Sequence, residues 1–169
     1  MAIAKGCSAP IIDFYKSVQD GSINKEELLQ MIDEILFANL DVTMGGISWV
    51  FVFLAAYPES QAEVRDEVMK HDPLKHGKIC WEKYISKSST LLAASITESF
   101  RLKPLAAFSV PQAVPSDRNA GGYLLPRGMN CIVDTYSINT NNAFWGDDST
   151  TYRPSRFLER SPTSLRYNF

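Results

Sequence analysis

Hydrophobic residues gather most densely over residues 35–57, where Trp49-Val50-Phe51-Val52-Phe53-Leu54 is unbroken and polar side chains enter at Asn39, Asp41, Thr43 and Ser48. Upstream, Asn24 with Glu27 three positions on has the form of a capping box, and Glu26 and Glu27 put negative charge where the helix dipole favours it. This pattern predicts one long helix over 24–57. Pro58 suits the first turn of a second helix over 58–71, whose Glu59, Gln61, Glu63, Arg65, Asp66 and Glu67 mark it as a solvated surface helix. Residues 71–78 read as a loop with Pro73 and Gly77, followed by a short segment over 81–85. A further helix runs over 89–102 and halts before Pro104.

From Ala106 the pattern changes. Short strand-like runs at 108–110, 123–125 and 130–136 are separated by Pro115, by Gly121-Gly122 and by Pro126-Arg127-Gly128, which predicts a strand region over 106–136. Residues 139–169 are aromatic and loop-rich. No repeat, low-complexity tract or Gly/Ser linker divides the chain, so 1–169 reads as a piece of one domain, mainly α with a small β region (α+β).

Length alone would let residues 35–57 span a bilayer, but Asp41 would be costly at that depth. A core helix of a larger protein is also apolar nearly all round, and that is the expectation here. At 100° per residue, Ala38, Val42, Gly45 and Trp49 share one narrow stripe, with Glu34, Asp41 and Ser48 on the stripe beside it. Ala38 and Gly45 leave room for something flat to approach the backbone. Asp41 then reads as a buried carboxylate that must be paired, hydrated or functional; the plainer alternative is a helix-packing notch beside a capped acid.

Composition narrows the function classes. With 45% hydrophobic and 21% charged residues, the 169-residue chain is an ordinary globular one. Its net charge of −2 comes with scattered basic residues, which gives no footprint for nucleic acid or an anionic membrane surface. Cys7, Cys80 and Cys131 are odd in number and far apart, which argues against a disulfide framework and fits a reducing, intracellular setting. His71, His76 and Cys80 are one ligand short of a closed zinc site, so no metal-ligating set is expected. Pro10, Asp13, Lys16 and Asp20 interrupt the first twenty residues, which resemble neither a signal peptide nor an anchor.

Four motifs in a fixed order carry a family resemblance. They are Ala38-Asn39-Leu40-Asp41-Val42-Thr43 on the long helix, Leu54-Ala55-Ala56-Tyr57-Pro58-Glu59-Ser60-Gln61 at the helix junction, Glu98-Ser99-Phe100-Arg101 followed by Leu102 and Pro104, and Tyr152-Arg153-Pro154-Ser155-Arg156-Phe157 preceded by Phe144-Trp145-Gly146-Asp147. The series resembles the cytochrome P450 haem-thiolate monooxygenases, over about residues 24–169. The resemblance implies a partial P450 fold. It also implies haem in the intact protein, a reductase partner, and a small organic substrate into which one atom of dioxygen is inserted. It places Asp41 and Thr43 at the oxygen site, Ala38 and Val42 facing the haem, and Glu98, Arg101 and Arg156 in a scaffold triad. Leu105, Ala106, Ala107 and Phe108 fall on a stretch that lines the family's substrate pocket, and their apolar character suits an apolar or aromatic substrate. Residues 36–43 are similar to fungal members that tailor secondary metabolites, including peptide-derived toxins.

The sequence also departs from the family pattern. Val42 stands where the family has its oxygen-site threonine and offers no hydroxyl, while Thr43 lies a further 100° around the helix. Asn39 replaces a glycine. Arg166-Tyr167-Asn168-Phe169 resembles the lead-in to the family's F-x-x-G-x-R-x-C-x-G loop, and none of the three cysteines has that context. The expectation is therefore a fragment of a single domain that ends before the haem-ligand loop. Such a chain is not expected to bind haem, catalyse or fold cooperatively alone, and membrane association would depend on an amino-terminal anchor. The alternatives are a non-catalytic short product and a single-span membrane protein.

Overall fold

The computed structural model describes residues 9–166 and 168. Cys7, Tyr167 and Phe169, and the side chains of Pro73 and His76, lie outside the described residues. The chain divides into two compact units, Met1–Met44 and Gly45–Phe169.

In the first unit, α1 (Pro10–Gln19) starts with proline at its first turn, an element the sequence pattern did not signal. Gly21, at φ 79°, follows it. The capping box then forms: Glu27 N–H donates to Asn24 Oδ1 at 2.9 Å and Asn24 N–H to Glu27 Oε2 at 2.7 Å. This starts α2 (Lys25–Ala56), a 32-residue helix that runs on into the second unit. Leu28 is buried, but every residue from 33 to 45 is exposed. In this chain alone residues 33–45, Asp41 among them, are open to solvent, as expected of a core helix without the elements that would cover it in a larger protein. Among the described residues nothing covers this part of α2, and a carboxylate in water needs no partner. By length and composition alone α2 could cross a membrane, a property shared by helices covered by protein.

The second unit holds the end of α2, then α3 (Pro58–Met69), α4 (Pro73–His76), α5 (Lys78–Ile85) and α6 (Leu91–Leu102). The α4 turn occupies part of the stretch read as a loop. The start of α6 is set by Thr90, whose Oγ1 accepts from Ala93 N–H at 3.1 Å. Two small antiparallel sheets follow: β1 (Gln112–Ala113) with β4 (Asn130–Cys131), and β2 (Arg118–Ala120) with β3 (Tyr123–Leu125). The second is a hairpin closed by Gly121 and Gly122, both at positive φ as its two-residue turn requires. The runs at 108–110 and 130–136 are not full strands. Phe108 makes one bridge to Asp134, and Asp134 ends the extended run by capping α7 (Thr135–Asn141), accepting from Ser137 N–H at 2.9 Å. The loop-rich remainder contains a 3-10 turn (Ala143–Trp145), α8 (Arg156–Glu159) and α9 (Pro162–Leu165). The architecture is α+β, mainly helical. The core of this unit joins Val64, Tyr84, Ala94, Leu102, Val114, Trp145 and Tyr152.

Candidate functional site

Helix α6 buries Ala94, Ser95, Glu98, Ser99, Arg101 and Leu102, the three-and-four spacing of one helix face. That face carries a carboxylate and a guanidinium into the interior. Glu98 accepts through Oε2 from Arg101 Nε at 2.7 Å, and through Oε1 from Arg101 Nη2 at 2.9 Å, from Arg156 Nε at 2.9 Å and from the Arg153 backbone N–H at 3.0 Å. All three side chains are fully buried. The remaining guanidinium donors are also used. Arg101 Nη1 donates to the carbonyls of Asn139 and, at 2.6 Å, Ser149. Arg156 donates to the carbonyls of Trp145, Asp148 and Thr151 and to both Asp148 carboxylate oxygens at 3.2 Å. Two arginines and two carboxylates make the set neutral, which is the condition for charges to survive without water.

Asp148 is shared between Arg156 and Arg153. Burial alone would raise its carboxyl, but hydrogen bonds from the two guanidinium groups hold it below the usual aspartate range. Arg153 also reaches Glu159 at 2.8 Å, whose carboxyl is lowered first by that bond and next by Ser155. Beside the network, Tyr152 donates to the Ser95 carbonyl at 3.2 Å and stacks on Phe53 of α2, with ring centres 4.9 Å apart and planes 5° from parallel. Burial pushes the Tyr152 hydroxyl up. The whole arrangement fastens residues 139–156 to α6. Its carboxylates, Glu98, Asp148 and Glu159, are all engaged by guanidinium groups.

Ala38, Asp41, Val42 and Thr43 lie on the part of α2 that belongs to the first unit, and all four are exposed there. The amide nitrogen of Asn39 donates to the Ile35 carbonyl at 2.8 Å, one turn back on its own helix, which leaves its oxygen as the free group.

The stretch after α6 is open. Leu105, Ala106, Ala107 and Phe108 are exposed, and Leu105 and Ala106 line a depression of about 310 Å³ together with Phe100, Pro104, Thr135 and Asn139. Ala107 and Phe108 lie outside it and pair with residues near the start of α7 instead.

Two residues that matter here carry no sequence signal of their own. Glu67 reads as one charge among many on a solvated helix, yet it accepts from the Tyr84 hydroxyl at 2.7 Å and from the N–H groups of Leu91 at 2.9 Å and Leu92 at 3.4 Å, tying α3 to α5 and to the start of α6. Gly46 is buried where α2 meets Phe100 and Leu105, whereas its neighbour Gly45 has open space around it. Elsewhere, His71 stacks on Tyr84 with ring centres 4.3 Å apart, and Cys80 and Cys131 are half-buried on α5 and β4. Among the described residues no group of three or more His, Cys, Asp or Glu could hold a metal.

A cytochrome P450 monooxygenase of Aspergillus oryzae, aclC, is 53% identical over 163 residues, covering 95% of this chain and 32% of its own length. The cytochrome P450 monooxygenases asaD of Aspergillus flavus and roqR of Penicillium rubens are each 45% identical, covering 96% and 98% of this chain and 31% and 32% of themselves. A zebrafish cytochrome P450 solved with progesterone superposes with a TM-score of 0.66 at 25% identity, over 81% of this chain and 32% of that one. The chain thus spans about a third of the length of the curated relatives it matches. The family model for cytochrome P450 matches residues 8–169, nearly the entire chain, and the chain belongs to that family.

Proposed function

We propose that this chain forms one haem-facing wall and the scaffold beneath it in a haem-dependent monooxygenase. The intact enzyme inserts one atom of dioxygen into a small apolar substrate in fungal secondary metabolism, with electrons delivered by a reductase. One observation carries the reading: the residues that match the family model hold Glu98, Arg101 and Arg156 in a single buried network that locks residues 139–156 onto α6.

The residues fit a haem on one side only. Ala38 and Val42, one turn apart on α2, are exposed apolar groups, a surface a flat ring can lie against. Among the described residues Cys80 sits on a helix and Cys131 on a strand, and neither has the setting of the family's cysteine loop that would supply the thiolate. Haem, when bound, supplies the reductive activation of dioxygen. This chain's residues orient the reactants and handle protons. Asp41 takes and returns a proton at its exposed carboxylate, Thr43 offers a hydroxyl one position further round, and Asn39 accepts through its free amide oxygen. Leu105, Ala106, Ala107 and Phe108 present an apolar surface to the substrate. Glu98, Arg101 and Arg156 serve the scaffold and take no part in the chemistry.

The test is a full-length chimera in which this chain replaces the matching third of the Aspergillus oryzae relative. The reduced chimera with carbon monoxide should give a thiolate-type Soret band and turn over the relative's substrate. A chimera that loads haem and consumes dioxygen without ever forming product would overturn the reading.

A further inference from the structure

The geometry points to Gly46 as a positioning residue that sets the shape of the apolar wall through Leu105. The inference rests on the proposed reading of residues 105–108 as substrate-facing. Gly46 has an ordinary helical backbone, so its conformation does not call for glycine. Space does. A Cβ at position 46 would lie 2.6 Å from Leu105 Cδ2 and 2.9 Å from Phe100 Cε1, whereas a Cβ at Gly45 would meet nothing within 4 Å. Two adjacent glycines on one helix therefore have different reasons to be small, and only Gly46 touches the wall.

The backbone leading to Leu105 is held. Lys103 N–H donates to the Ser99 carbonyl at 2.8 Å, Lys103 Nζ lies 5.0 Å from the centre of the Trp49 ring one turn along α2, and Pro104 fixes its own φ. The Leu105 side chain is the free element. It is 51% exposed and borders the 310 Å³ depression, as Phe100 does, so a methyl group at position 46 would displace the Leu105 side chain and the Phe100 ring on the side of that depression. The bulk that relieves the clash is bulk added to or taken from the wall. A change of about one methylene in an apolar pocket shifts affinity by about tenfold or more.

The experiment uses the full-length chimera and two spectral probes of the haem, phenylimidazole and imidazole, whose affinity ratio reports the apolar wall and cancels general loosening of the fold. Gly46→Ala should change that ratio by about tenfold, with the KM for substrate moving more than kcat. Glu63→Ala, at an exposed position of α3, should leave it unchanged, and Leu105→Ala should change it. In Gly46→Ala/Leu105→Ala the position-46 effect should fall, since only the Phe100 contact remains. A ratio unaffected by Gly46→Ala while Leu105→Ala moves it would overturn the Gly46 role and leave the wall standing; no effect of Leu105→Ala would overturn both. If Gly46→Ala fails to load haem, recovery in the double variant supports the contact with Leu105, and failure of the double variant refutes it.

Discussion

Arg156 Nε donates to Glu98 Oε1 at 2.9 Å across 58 positions of sequence, with both side chains wholly out of solvent. Glu98 sits at the centre of four donors, so its loss strands two guanidinium groups in the interior. Removing one partner of such a buried set costs about 3–5 kcal/mol. Glu98→Gln and Arg156→Lys in the chimera should each lower the melting midpoint and the fraction of protein that loads haem. Lysine cannot replace the planar fork that reaches Glu98, Asp148 and three carbonyls at once. A melting curve unchanged in both variants would show that the network does not hold the scaffold.

Glu67 gives the fold an acid-sensitive joint. Burial alone would raise its carboxyl, but the Tyr84 hydroxyl, the N–H groups of Leu91 and Leu92 and nearby His71 outweigh it, so the folded value lies below the ordinary 4.5. A carboxyl lowered on folding contributes stability that is complete above the ordinary value and fades as pH falls through the folded one. Glu67→Gln should therefore cost about 1–2 kcal/mol near neutral pH. The gap between variant and parent should close as pH drops below 4.5, read from paired melting curves; a gap independent of pH would contradict the assignment.

Val42 carries no hydroxyl, and Asn39 spends its amide nitrogen on the Ile35 carbonyl. Val42→Thr in the chimera should raise the ratio of product formed to dioxygen consumed. An unchanged ratio would count against proton handling by Asp41 with Asn39 or a substrate group.

Phe37, Leu40 and Phe51 are 76%, 67% and 67% exposed along α2. Apolar surface of that extent drives association. Purified alone, this chain should elute as aggregates, bind a hydrophobic dye and melt over a broad range, whereas a monomer with one sharp transition would refute the expectation.

The readable parts of the fold are those whose causes lie within a few residues. Asn24 and Glu27 cap each other, Pro58 starts a helix, and Gly121-Gly122 turns a hairpin, each from local chemistry alone. Glu98 and Arg101 share a face by spacing, and the resemblance supplied Arg156. Periodicity shows which face of α2 is apolar but not what lies over it, so the partners of residues 33–45 were not legible. Glu67 and Gly46 draw their meaning from partners far along the chain, Tyr84 and Leu91 for one and Leu105 for the other. Asp134 was hidden for another reason: its run is extended up to the point where its side chain accepts from Ser137 and starts a helix.

Trp145 lies beneath the guanidinium groups of Arg101 and Arg160, 4.8 and 5.3 Å from its ring centre, and is 1% exposed, while Trp49 and Trp81 are open to solvent to a greater degree. Its emission should be the bluest of the three and the least accessible to a dissolved quencher. The segment that closes over α6 thus contains its own optical gauge, able to register loosening around Arg101 without any added label.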